Sequence, residues 1–356
     1  MAVYKIFPEK DATLYERYPS MNTGLDQILE ASSYYSLGSR YNSRYLIQFS
    51  TTEIQNVLNN TVTGTWDAYL KNYSATTSGL NTDTELYFYT VSGSWNMGTG
   101  RYLDSPQVDN GVSWNFRTTS GSGAWQSAGG GGDVYPSPVY SQSFAYSNPI
   151  DVNVQVTDTI HDWYSASVPN DGFLVRLTSS IEDSNNLNIQ PIFKNFSIDT
   201  NTIYPPYLEI KFDDYSFNTG SSSNTILDNF ESFISIYNNA GEYYPQSIAR
   251  FRLAAIPKYP TRQFITASYY TENYYLPEAS SSYAIKDSST NEFVVDFDST
   301  YTRISADSVS SYFDVYMNGL EPERQYTVLI KSIIGGVTKV WDEDLMFKVI
   351  NGWWRQ

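Results

Sequence analysis

The side chains able to do chemistry are few in this chain, and their spacing is the first thing to test. His161 is the single histidine, so a Ser-His-Asp relay would have to be built around it with Asp158 or Asp162. On a helix through "TDTIHDWYS" it falls off the apolar stripe of Ile160, Trp163 and Tyr164, which reads as a surface position. Carboxylate pairs could hydrolyse a glycoside without histidine. The candidates are Asp213 with Asp214, Asp296 with Asp298, and Asp342 with Glu343 and Asp344. Neighbours along a strand point to opposite faces, so Asp213 and Asp214 should diverge. Asp296 and Asp298 would share a face, as acids on a wet strand face commonly do. The oxygen-rich "DFDSTYTRISADS" lacks a fixed calcium spacing. Gly98-Thr99-Gly100 has neither the lysine of a P-loop nor a strand–turn–helix setting. Two readings of that turn stay open. Trp95, Trp114 and Trp125 could offer faces to a sugar, or the tryptophans could anchor a strap that closes a β-fold. No catalytic residue, cofactor site or metal site is assigned.

The totals narrow the classes. With 22 basic and 38 acidic side chains the formal charge is −16. That balance argues against a sequence-independent grip on nucleic acid, which needs clustered cations to displace counterions. Aromatic residues make up 16% of the chain, 32 of them tyrosines, which argues against disorder. The absence of cysteine removes disulfides, thiolate nucleophiles and Cys-ligated zinc. The opening "MAVYKIFPEKDATLYERYPS" has no apolar signal core, and no run is long enough to span a bilayer. Synthesis in a cytoplasm without membrane insertion is expected.

Whatever chemistry exists must be positioned by strands. "PIDVNVQVTD" alternates Val152, Val154 and Val156 with polar residues, and "YLEIKFDD" alternates Leu208, Ile210 and Phe212 with Glu209 and Lys211. "TELYFYTV", "RYLIQFS", "GFLVRL", "EFVVDFD", "YFDVYMNG" and "QYTVLIKSI" are short, aromatic or β-branched, and bounded by turn residues. This predicts antiparallel sheets with one wet face, stacked as a sandwich. Two short helices are predicted: one in "STTEIQNVLNN" with a Thr cap before Ile54, Val57 and Leu58, and one capped by Thr157 or Asp158. The Gly/Ser/Asn-rich residues 213–225 read as a linker or long loop. "SGSGAWQSAGGGGDV" reads as a mobile excursion between strands.

At this level of detail a family comes into view. "EKDATLYERYPSMNTGLDQILEAS", "SRYLIQFS", "TEIQNVLN", "ELYFYTVSGSWNMGTG", "VNVQVTDTIHDWYSASVPNDGFLVRL" and "YPPYLEIKF" follow one another as in DNRLRE-type jelly-roll domains, over residues 3–213. The resemblance implies a rigid adhesive or scaffolding module, with Trp95 and Trp114 as core anchors of a strap. "MNGLEPERQYTVLIKSI" resembles the corner of fibronectin-III-like sandwiches, in which Tyr326 would return its hydroxyl to nearby backbone. "GGVTKVW" follows as a Gly-Gly hairpin. The fold expected is therefore mainly β: an N-terminal jelly-roll sandwich in residues 1–215, a linker at 216–225, and an Ig/fibronectin-III-like sandwich in 226–356.

The residues "ARFRLAAIPKYPTRQFITASYYTENYYLPEASSSYAIKD", with "YMNGLEPERQY" and "FKVINGWW", resemble uncharacterised virion structural proteins of tailed cyanophages. That resemblance implies a non-enzymatic virion component, made in the host cytoplasm, whose partners are other virion proteins and copies of itself. Neck, tail or baseplate is placed ahead of head decoration. Tyr269, Tyr270, Tyr274, Tyr275, Trp353 and Trp354 are the candidate interface, because tyrosine and tryptophan supply contact area at small entropic cost. The alternative is a receptor or glycan binder contacting sugar through Trp125. A capsular depolymerase stands third.

Overall fold

The computed structural model describes residues 2–119, 121–147, 150–220, 225–229, 231–259, 274–342 and 345–351. The protein is mainly β, and its chain divides into two compact units. One takes Ile6–Thr61 and Asp67–Ile210; the other takes Met1–Lys5, Val62–Trp66 and Lys211–Gln356.

Along residues 2–212 the strands are β1 (Ala2–Ile6), β2 (Pro8–Tyr15), β3 (Ile28–Ser36), β4 (Ser39–Phe49), β5 (Trp66–Asn72), β6 (Ser74–Ser78), β7 (Thr84–Val91), β8 (Val134–Phe144), β9 (Val152–Gln155), β10 (Phe173–Leu177), β11 (Ile192–Phe196) and β12 (Tyr207–Phe212). They build a four-stranded sheet in the order β1-β12-β5-β9. An eight-stranded sheet runs β6-β11-β3-β4-β10-β7-β8, with β2 also paired to β4. Eight twisted strands in one sheet curl it into a half-barrel. Period-two patterning is realised on β9, where Val152, Val154 and Val156 are buried. On β12 it is not: Glu209 is also buried, beside Lys71 at 3.6 Å. The wet face expected there is covered.

Both predicted helices exist, α1 (Thr51–Asn60) and α2 (Thr157–Tyr164), and both predicted caps fail. Ser50 and Val156 hold the cap positions without a side-chain bond. Thr157 instead accepts the Ala68 N–H at 3.0 Å, so a neighbouring strand has taken the capping oxygen. Tyr164 is exposed and Thr159 is buried in its place, which rotates the apolar face by part of a turn from the one expected.

The second unit carries β13 (Ser232–Ile236), β14 (Glu242–Tyr243), β15 (Ile248–Pro257), β16 (Ser281–Asp287), β17 (Phe293–Val295), β18 (Ser305–Ala306), β19 (Ser311–Tyr316), β20 (Arg324–Ile334), β21 (Val337–Trp341) and β22 (Met346–Val349). One sheet has the order β13-β15-β19-β18. The other has β14-β22-β20-β16-β17, with β21 beside β20. Rings from the two inner faces meet: Tyr283 stacks on Phe313 at 4.2 Å, and Phe251 lies 5.4 Å from Phe347. This is the sandwich core that alternation demands. Gly335 and Gly336 both have positive φ, which makes the tight β20–β21 hairpin that few other residues would accept.

Residues 213–220, read from the sequence as linker, lie against Ser305 and Ala306. Ser216 N–H donates to Ser305 Oγ at 3.1 Å and Asn218 N–H donates to the Ala306 carbonyl at 2.9 Å. Tyr326 is buried, and its hydroxyl donates to the Glu321 carbonyl at 3.1 Å. Replacing Tyr326 with Phe should lower the unfolding free energy of this unit by about 1 kcal/mol, because one buried hydrogen bond is lost with little change in volume. Urea unfolding followed by tryptophan fluorescence checks this.

Candidate functional site

The Gly-Thr-Gly segment is a strap, and one asparagine holds it. Asn22 is fully buried, and its side chain uses every hydrogen-bonding position it has. Nδ2 donates to the carbonyls of Met97 at 2.6 Å and Val112 at 2.9 Å. Oδ1 accepts from the N–H of Gly100 at 2.8 Å and of Gly24 at 3.3 Å. The strap backbone therefore has to approach this side chain closely. A Cβ on Gly98 would fall 2.3 Å from Asn22 Oδ1, and one on Gly100 would fall 2.3 Å from the Asn22 carbonyl. Those glycines leave room for the asparagine and cradle no phosphate.

The tryptophans finish the closure. Trp95 is buried and donates Nε1–H to the Asp171 carbonyl at 2.8 Å. Trp114 and Trp125 are each only 6% exposed. Trp125 donates to the Ser113 carbonyl at 2.9 Å, so the sugar-contact reading of Trp125 is corrected: its surface is taken up by the core it helps to build. The glycine-rich stretch is likewise no excursion. Gly129 and Gly130 are buried, with Gly129 against the Trp114 ring at a φ of 74°. Arg44 lies over the same ring at 5.0 Å and donates to the Gly129 carbonyl at 2.9 Å. Its other donors meet Glu182 at 3.1 and 2.7 Å, and Arg176 reaches Glu182 at 2.5 Å. A buried carboxylate between two guanidiniums specifies this corner geometrically, because neither partner tolerates losing the other.

Among the described residues the candidate carboxylates do not converge. Asp296 and Asp298 lie beyond the end of β17, not on a shared strand face. Asp296 accepts the N–H of its neighbour Phe297 at 2.7 Å, and Asp298 accepts those of Thr300 at 2.7 Å and Tyr301 at 2.9 Å. Both build a turn. Asp213 pairs with Arg303 at 2.7 Å. Asp342 is exposed, while Glu343 and Asp344 lie outside the described residues. His161 is exposed on α2, as its spacing predicts. Among the described residues no group of three or more His, Asp or Glu could hold a metal ion.

The interface candidates divide. Tyr269, Tyr270, Trp353 and Trp354 lie outside the described residues. Tyr275 is only 1% exposed and donates its hydroxyl to the Asp307 carbonyl at 2.7 Å, so it is a core residue and not a contact surface. Tyr274 is half-buried against the same core, with its N–H on the Ala255 carbonyl at 2.9 Å.

Sequence reasoning missed two surfaces, both in the second unit. The first is the edge strand β13. Its outward Phe233 is 52% exposed and stands opposite Ile256, 42% exposed, on β15. The second is a pocket of about 200 Å³ on the outer face of β16, β20 and β21, lined by Ser282, Ser299, Arg303, Lys331, Ile333 and Thr338 among others. The alternating apolar residues of "SFISIY", with no charge or proline among them, could have flagged the first. The second depends on strand register alone.

One buried group will respond to pH. Burial is the main cause that pushes the Asp11 carboxyl up to about 8, and nearby Asp199 and Asp26 add to it. The Ile198 N–H, 2.8 Å from Oδ2, works in the opposite direction. Between about pH 4 and pH 8 the folded protein then holds a proton that the unfolded chain has released. Stability therefore falls as pH rises through that window. Asp11→Asn should raise the melting temperature, by an amount that grows from pH 4 to pH 8 and then levels off; scanning calorimetry across that range checks it. Asn22→Ala should lower stability by about 3 kcal/mol or more, since four buried backbone groups lose a partner together. Chemical denaturation of the full chain, with Asn22→Asp as a near-isosteric control that also loses both donors, measures the loss.

No family model and no curated protein matches this chain. Among solved structures, a DUF4785 family protein from Legionella pneumophila is similar at 7% identity and a TM-score of 0.19, over 96% of this chain and 65% of that one. A β-glucuronidase from Parabacteroides merdae is similar at 8% identity and a TM-score of 0.16, over 98% of this chain and 35% of that one. The chain spans less than two thirds of the length of either structure. Likeness at this level carries no argument about fold or function.

Proposed function

We propose that this chain is a non-enzymatic structural subunit that joins its neighbours through β-sandwich surfaces. Its place in a tailed-phage virion, at neck, tail or baseplate, is proposed on the sequence resemblance of residues 249–287, of "YMNGLEPERQY" and of "FKVINGWW". The observation that carries the assembly reading is the contrast between two sheet edges. The end strand β8 contains Pro136 and Pro138, which remove backbone donors and so discourage pairing with another chain. The end strand β13, "SFISI", has no proline and no charge. Tyr237 N–H reaches the Arg252 carbonyl and Lys258 N–H reaches the Glu231 carbonyl, so the alternate residues Ile234 and Ile236 aim their backbone groups away from β15. With Phe233 and Ile256 exposed beside it, this edge suits strand addition by a neighbouring subunit.

The tryptophans support the same reading, since they are committed to closing the fold. Sedimentation velocity at tens of micromolar should show association of the chain that Phe233→Lys weakens by about tenfold, the loss of one central apolar contact. The melting temperature should stay unchanged, because Phe233 is exposed. Labelled antibody against the chain should decorate purified virions. A chain that stays monomeric and is also missing from the virions overturns the proposal.

A further inference from the structure

The pocket on the outer sheet face of the second unit is an ordered array, and its register explains its chemistry. Ser282 on β16 stands opposite Lys331 on β20 and opposite Arg303 on its other side. Directly opposed residues share a face, so Arg303, Ser282 and Lys331 form one row across three chain segments, with neighbouring Cα atoms about 5 Å apart. Two residues along, Ser280 and Thr338 flank Ile333 in a second row. Tyr283 and Ile285 point to the core, which fixes Ser282 on the outward face. The loop that leaves β17 brings Ser299 to the side of these rows, and the space stays partly open to solvent.

The two cations are held in different ways. Arg303 is oriented by Asp213 at 2.7 Å and by the Tyr215 ring at 4.1 Å, so its charge is largely compensated. Lys331 has its ammonium 4.4 Å from the Phe297 ring and forms no ion pair among the described residues. It therefore supplies a net positive charge, and no acidic residue lines the pocket. In a chain with a formal charge of −16 this local reversal of sign is a preference for an anion. The rest of the lining is serine and threonine around two exposed aliphatic side chains, the larger Ile333 and the small Ala279. Such a surface complements a ligand with several hydroxyls and one apolar face.

We propose that this pocket binds one acidic saccharide residue, its carboxylate or sulfate on Lys331 and its hydroxyls on Ser282, Ser299 and Thr338, with Ile333 under the ring. The proposal does not depend on the assembly reading, because the pocket and β13 lie on different sheets of the same sandwich.

The test is a titration of the full chain with D-galacturonate, D-galactose 6-sulfate, D-galactose and inorganic sulfate, followed by chemical shifts or calorimetry. The two acidic sugars should bind more tightly than galactose, and their affinity should fall as salt is raised from 20 to 300 mM, the order of range over which exposed charges become screened. Lys331→Met, which keeps the aliphatic stem over Phe297, should weaken them about tenfold, and Lys331→Arg should restore most of the loss. The salt series on the unmodified chain keeps the test decisive if the Met variant folds poorly. Failure of both acidic sugars to bind at millimolar concentration overturns the proposal. So does binding of inorganic sulfate alone, or affinity that neither salt nor Lys331→Met alters.

Discussion

A fully committed asparagine side chain is the contact on which the first unit turns. Asn22 sits between the opening strands and the strap, and its amide substitutes for the backbone ladder that an irregular segment lacks. Buried backbone groups in a loop must find partners, or each costs roughly 1–3 kcal/mol. One amide satisfies four of them. Everything nearby follows from that economy: glycines where the chain must touch the amide, and tryptophans where the strap must be weighted down over Leu14, Leu46 and Leu174. Trp125, Trp114 and Arg44 then extend the same closure as far as Glu182.

The second unit solves its closure differently. Its two sheets meet through rings, with Tyr283, Phe313, Phe251, Phe347 and Tyr326 in successive contact across the core. Aromatic pairs add an orientation preference to simple burial, which fixes how the sheets lie on one another. Because the inner face is so committed, the polar and charged residues are left to the outer faces. There Arg250 pairs with Asp314 and Arg252 with Asp307, and hydrogen bonds from Arg252 hold the Asp307 carboxyl well below its ordinary range. Of the acids that looked available for catalysis on paper, Asp213 is spent on such a pair and Asp296 and Asp298 on turns.

That division explains which parts of the molecule could be read in advance. Strand periodicity on β9, the helix in "TEIQNVLN", the hairpin at Gly335-Gly336 and the return of the Tyr326 hydroxyl were all legible, because each depends on residues a few positions apart. The caps of α1 and α2 were misread because tertiary neighbours took the threonine oxygens: the Asn170 amide donates to Thr51 and the Ala68 N–H to Thr157. Glu209 was misread because alternation cannot tell a wet face from one covered by another layer. Asp296 and Asp298 were misread because the strand ends three residues earlier than its composition suggests.

Local chemistry thus determined the β class, the paired sandwich patterning, the turn positions and the exposed place of His161, since side-chain direction in a strand or helix repeats over a few residues. Only the tertiary structure decided that Trp125 and Tyr275 are buried, that Asn22 holds a strap 75 residues distant, and that Arg303, Ser282 and Lys331 share one row. Those outcomes depend on which strands pair and in what register, and that is set by long-range packing of the whole sheet.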